Sequence, residues 1–128
     1  MTMTKNKKKI LVVEDEVSLL QALNLKLEKA GFEVLSAKNG QEGLTTALKE
    51  QPDLILLDIV MPVMDGMTML KKLREDPQAG DVPIIILTNL TDSEKVSEAL
   101  ANQSFDYLVK SDWSLEDVVK RIREKLGL

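Results

Sequence analysis

The sequence predicts a doubly wound α/β domain, one parallel sheet of five strands with helices on both faces. Five short apolar runs alternate with five helical patterns along 128 residues, and a βα repeat of this kind closes as a parallel sheet. The first, third and fourth runs are apolar throughout, as strands covered on both faces are. The second run is short, and the fifth carries Asp106 and Tyr107. Both therefore belong at edges, which predicts the strand order 2-1-3-4-5 with ligands near the carboxyl ends of the first and third strands.

The first strand is Ile10–Val13. Asp15 is the expected N-cap of a helix with Leu20, Leu23, Leu27 and Ala30 on one face, stopped by Gly31. Phe32–Leu35 is the second strand. Asn39 caps the next helix, which turns Leu44, Ala47 and Leu48 inward until Pro52 enforces a break. The third strand, Leu54–Leu57, ends in Asp58. A helix marked by Met67, Leu70 and Leu73 follows and ends before Pro77. The fourth strand is Pro83–Leu87, after which Asp92 or Ser93 opens a short helix with Val96, Ala99 and Leu100. The fifth strand is Phe105–Val109, and Leu115, Val118, Val119, Ile122 and Leu126 mark the last helix.

Composition narrows the chemistry. At 44% hydrophobic and 30% charged the chain is an ordinary globular domain. It has no cysteine and no histidine. Disulfides, Ser-His-Asp catalysis and histidine-ligated zinc are therefore excluded. The net charge of −4 argues against nucleic acid as a direct partner. The basic run Lys5, Lys7, Lys8 and Lys9 reads as a solvated approach to the first strand, with a lead-in over residues 1–8 and a domain over 9–128. No apolar stretch is long enough to span a bilayer or to serve as a signal-peptide core, so the expected compartment is the cytoplasm and no membrane partner is expected.

The strand ends carry the chemistry. Glu14 and Asp15 follow the first strand, Asp58 ends the third, Thr88 the fourth, and Lys110 the fifth. Parallel neighbours lie about 4.8 Å apart, so these groups gather along one sheet edge. Each alone has a bland reading: a cap, a turn residue or a surface charge. Their coincidence does not. Three crowded carboxylates require a counter-charge, and an oxygen-only donor set points to Mg²⁺. With an ammonium and a hydroxyl beside it, such a site favours phosphoryl transfer onto or off a carboxylate.

These residues resemble the receiver (response-regulator, chemotaxis-regulator-like) domains of two-component signalling over nearly the whole chain. "VVEDE" at 12–16 is similar to the family's acidic pair, and "LLDIVMPVMDG" at 56–66 to its phosphoacceptor strand and turn. "IIILTNL" at 84–90 resembles the strand bearing its hydroxyl, and "DYLVK" at 106–110 the strand bearing its lysine. The resemblance implies a flavodoxin-like (βα)5 fold. It implies that Asp58 accepts a phosphoryl group from a histidine kinase or phosphotransfer protein. Asp15, Asp58 and the Val60 backbone carbonyl would ligate Mg²⁺, with Glu14 acting through a metal-bound water. Lys110 would pair with Asp58 and the phosphoryl oxygens. Thr88 would bond the phosphoryl group and Tyr107 would switch rotamer with it. The domain would promote its own phosphorylation and dephosphorylation and otherwise be no enzyme.

Departures from the family pattern are informative. Asn89 stands where a very small residue is usual, which implies a changed rate of attack. Val60 and Leu90 offer no hydrogen bond to orient an attacking water, so a long-lived phosphoform is expected. Ser111 replaces a proline usually preceded by a cis bond, and Gln103 replaces a common glycine. Because the chain stops soon after the last helix, output is expected by docking of a downstream protein to the fourth helix, fifth strand and fifth helix, with Tyr107 on that face and Trp113 either on it or stapling the start of the last helix. The same face would serve a weak dimer if the domain is not monomeric. Two other classes compete. A haloacid-dehalogenase-type phosphatase needs a second Asp where Val60 stands. A receiver-like scaffold acting without phosphorylation would usually have lost Asp58 or Lys110.

Overall fold

The computed structural model describes residues 7–58, 63–88, 106–109 and 114–128. Its strands are β1 (Lys9–Val13), β2 (Glu33–Ala37), β3 (Leu54–Asp58), β4 (Ile84–Thr88) and β5 (Asp106–Val109). All neighbours pair in parallel in the order β2-β1-β3-β4-β5. The doubly wound architecture and the edge positions of β2 and β5 are as the sequence predicts. Its helices are α1 (Val17–Lys29), α2 (Gly40–Glu50), α3 (Gly66–Arg74) and a C-terminal helix (Leu115–Leu126). The helix expected from Asp92 or Ser93 to Leu100 lies outside the described residues, as do Trp113 and Gln103.

Alternation along the three central strands divides the core in two. Leu11, Val13, Ile55, Leu57, Ile84 and Ile86 face α2 and α3, packing with Ala47, Met69, Leu70 and Leu73. Ile10, Val12, Leu54, Leu56, Ile85 and Leu87 face the other way, onto Leu20, Leu23 and Leu27 of α1 and Val118, Val119 and Ile122 of the C-terminal helix. Each such side chain gives about 1.5–3 kcal/mol on burial. Because both faces of β1, β3 and β4 are covered, a polar residue is tolerated only where these strands emerge, at their ends.

Local signals set most boundaries. α1 stops at Gly31, whose φ of 98° is open to glycine but not to L side chains. The chain then doubles back, with the Phe32 N–H donating to the Leu27 carbonyl at 3.1 Å. Asn39 caps α2 as expected, its side chain accepting from the Glu42 N–H at 2.9 Å.

Three local expectations need correction. The second strand begins at Glu33 rather than Phe32 and runs to Ala37, because Phe32 is committed to the α1-side core. Asp15 does not cap α1. Glu16 holds the N-cap position with no side-chain cap, since the Glu14 carboxylate takes the Glu16 N–H at 3.0 Å and Asp15 joins the carboxylate cluster. Leu48 is 39% exposed rather than inward. The buried stripe of α2 runs through Gly40, Gly43 and Ala47, with Leu44 partly covered, and Leu48 falls beyond its edge.

Candidate functional site

The register of the central strands builds the site. β1 and β3 pair with Val13 opposite Leu57, so one residue further each chain delivers a carboxylate, Glu14 and Asp58. β3 and β4 pair with Asp58 opposite Leu87, and β4 and β5 with Thr88 opposite Val109. The sheet thus presents Glu14 and Asp15, Asp58, then Thr88 in sequence along its carboxyl edge.

Glu14, Asp15 and Asp58 each offer a carboxylate oxygen, and these oxygens all lie within 4.8 Å of one another. Glu14 is 0% and Asp58 4% exposed, whereas Asp15 is open to solvent. Two unit charges that far apart repel by about 3.5 kcal/mol at an effective dielectric of 20. A hard cation between them turns that repulsion into attraction. Oxygen ligands alone, two buried and one at the mouth, suit Mg²⁺, which binds few carboxylates and keeps several waters. The residues present therefore fit the ion.

Among the other expected site residues, Thr88 ends β4 and Tyr107 lies in β5 with its Cα opposite Ile86. The structure describes their backbone positions and not their side chains. Lys110, Val60, Asn89, Leu90 and Ser111 fall outside the described residues.

The connections behind the cluster hold features that the sequence reading passed over. Asp65 caps α3, its carboxylate accepting from the Thr68 N–H at 2.8 Å. Gly40 donates its N–H to the Met64 carbonyl at 2.9 Å. The available signal was a glycine in the first turn of a helix, where it is disfavoured. Val63 has a φ of 70°, unusual for a β-branched residue.

Comparison with known proteins agrees with this geometry. The family described as "Response regulator receiver domain" matches residues 10–123. The probable transcriptional regulator ycf27 of Cyanophora paradoxa is 41% identical over 121 residues, covering 94% of this chain and 49% of that protein. The DNA-binding dual master transcriptional regulator RpaA of Synechocystis sp. is 33% identical over 118 residues, covering 92% of this chain and 48% of that protein. The chain thus spans about half the length of the curated relatives it matches. Among solved structures, the receiver domain of the sensor histidine kinase PA1611 of Pseudomonas aeruginosa PAO1 superposes with a TM-score of 0.85 at 25% identity, covering 95% of this chain and 99% of that one. That crystal structure has a magnesium ion coordinated in its active site cleft.

These relatives overturn the exclusion of nucleic acid as a partner. RpaA is a DNA-binding regulator by name, and ycf27 and PhoP of Bacillus subtilis are named as transcriptional regulators. The net charge of this chain does not decide the point, because these relatives extend beyond the part that it matches.

Proposed function

The chain belongs to the response regulator receiver domain family of two-component signalling, and from that premise we propose that Asp58 is its phosphoacceptor. Phosphorylation and Mg²⁺ binding are typical of that family. The observation that carries the reading is the convergence of Glu14, Asp15 and Asp58 at the carboxyl edge of the sheet. A carboxylate oxygen of Asp58 attacks the phosphorus of a phosphohistidine on a partner kinase. The O–P bond forms and the P–N bond breaks, its electron pair leaving with the imidazole.

Asp15 and Asp58 would hold Mg²⁺ through their carboxylates, with the Val60 carbonyl as a third protein ligand and Glu14 acting through a bound water. When bound, the ion supplies charge neutralisation and alignment of the phosphoryl oxygens. Lys110 adds a point charge to the same oxygens, and Thr88 donates a hydrogen bond to them. That bond draws Thr88 toward the new dianion, Tyr107 changes rotamer, and the surface of the fourth helix, β5 and the C-terminal helix changes its affinity for a target. The domain promotes only its own phosphorylation and the hydrolysis of its own aspartyl phosphate. Val60 and Leu90 give that hydrolysis no polar side chain, which makes it slow. No helix among the described residues is long and apolar enough to cross a membrane, and the reading assigns the domain to the cytoplasm.

The names and lengths of the relatives favour a second reading of the output, in which the receiver governs a DNA-binding module in place of a separately docked protein. Both readings share the same chemistry at Asp58.

Incubation with Mg²⁺ and a small acyl-phosphate donor, read by intact mass, tests the proposal. A gain of one phosphoryl group, abolished by Asp58→Asn and by a chelator, is expected. No gain from either the small donor or a cognate kinase would favour a scaffold that works without phosphorylation.

A further inference from the structure

We infer that Gly40 is a positioning residue for the carboxylate cluster: the segment from Ala37 to the first turn of α2 braces the chain at Glu14 against the turn that leads into α3, and only a residue without a Cβ closes that brace. The inference rests on the Mg²⁺-binding reading above and names a residue of this chain that serves it from outside the ligand set.

The brace has two arms. On one side the Glu14 N–H donates to the carbonyl of Ala37 at 3.0 Å, just before α2 begins. On the other, the Gly40 N–H donates to the carbonyl of Met64 at 2.9 Å, in the connection that leads from Asp58 to α3. Asn39 and Glu42 lock the turn between the arms, the Asn39 side chain accepting from the Glu42 N–H and the Glu42 carboxylate accepting from the Lys38 N–H at 3.1 Å. The Glu14 bond is the rung that ends the β1–β2 ladder, where Val13 stands opposite Ala37, and the Gly40 bond adds a tie from the same segment to Met64, six positions after Asp58.

A glycine at position 40 is not explained by backbone freedom. Its φ lies outside the left-handed range, and glycine in a helix is less favourable than alanine. What explains it is close approach. A Cβ at residue 40 would lie 2.2 Å from the Met64 carbonyl oxygen and 2.9 Å from its carbon. Both are backbone atoms that no rotamer change moves aside. The contrast is Gly43, one turn on, where a Cβ would meet the Met69 Sδ and a Val13 methyl, each at 2.9 Å. Those are side-chain atoms, so the clash there falls on core packing and not on the backbone that leads into α3. An alanine at 40 therefore displaces Met64, six positions after Asp58, and disturbing the support of a ligand typically costs 10–100-fold in metal affinity.

Calorimetric titration of MgCl₂ into wild type, Gly40→Ala and Leu23→Ala tests this. Leu23→Ala, in the core on the opposite face of the sheet, lowers stability without touching the brace. A merely structural role would leave Mg²⁺ affinity alike in all three folded proteins. The expected result is an affinity roughly ten-fold weaker in Gly40→Ala alone. Undiminished affinity in folded Gly40→Ala overturns the inference and leaves the proposed function standing, whereas absence of Mg²⁺ binding by wild type overturns that function itself. Should Gly40→Ala not fold, amide exchange in the wild type decides. Linkage is reciprocal, so a brace that aids Mg²⁺ is itself stabilised by Mg²⁺. Saturating Mg²⁺ is then expected to slow exchange of the Gly40 amide about ten-fold by the same linkage. The Gln51 amide, bonded to the Ala47 carbonyl at the far end of the helix, should change far less. Equal slowing at both ends, or none at Gly40, overturns the inference.

Discussion

Val63 sits at a φ of 70° and is 82% exposed, so neither backbone preference nor burial favours a β-branched residue there. The left-handed region costs an L residue about 1–2 kcal/mol. It persists because its neighbours over-determine the turn. The Met64 carbonyl is held by Gly40 and the Asp65 carboxylate by the Thr68 N–H. Glycine at this position removes the steric cost but adds about 0.5–1 kcal/mol of chain entropy. Val63→Gly is therefore expected to stabilise the fold by about 0.5–1 kcal/mol, read as a higher urea midpoint at unchanged slope. A lower midpoint would show that the Val63 side chain has a packing role its exposure does not suggest. The same turn shows where residue-level reading of the sequence stopped. Asp58, Asp15 and Glu14 were legible because carboxylates ending apolar strands stand out chemically. Gly40 was not, since its partner Met64 is 24 positions away along the chain and glycine advertises no chemistry.

At the level of the elements, caps and periodicity account for most of what was legible. The inward residues of α1 and the C-terminal helix follow the 3.6-residue period, and Asn39 announces α2. The errors arose where a tertiary demand outweighed a local one. Asp15 was drawn from the cap of α1 to the carboxylate cluster, Phe32 from strand to core, and Leu48 outward because two glycines already fill the inner face of α2 against Val13, Met64 and Met69. The C-terminal helix shows the opposite case, in which local and tertiary demands agree. Ser114 accepts from the Asp117 N–H at 3.3 Å while Asp117 accepts from the Ser114 N–H at 2.8 Å, a reciprocal capping box. Glu116 adds a tie to α1 through Lys26 at 2.7 Å, an exposed pair of small worth. Ser114→Ala should cost about 1 kcal/mol by chemical denaturation. The loss should fall in the first turn, where amide exchange of Asp117 and Val118 should accelerate most. Uniform acceleration along the helix would mean that the cap governs global rather than local stability.

Across the whole molecule, the two-sided core supports the strand ends rigidly while those ends gather negative charge on one edge. A net charge of −4 spread over the surface would respond to any salt by screening. A built site responds to one class of cation by mass action. The distinction is measurable as thermal stability. At 100 times its dissociation constant a ligand that binds only the folded state stabilises by about 2.7 kcal/mol. For a domain of this size that corresponds to a rise in Tm of roughly 8–12 °C. Mg²⁺ is expected to produce this rise, chelation to reverse it, and NaCl at matched ionic strength to give only a small part of it. In Asp58→Ala the Mg²⁺-specific part should disappear while the NaCl response stays, because one carboxylate fewer barely alters the overall field yet removes a proposed ligand from the site. Equal responses to Mg²⁺ and NaCl in the wild type would reduce the cluster to a patch of surface acidity, and the sheet edge would then have gathered its carboxylates to no catalytic end.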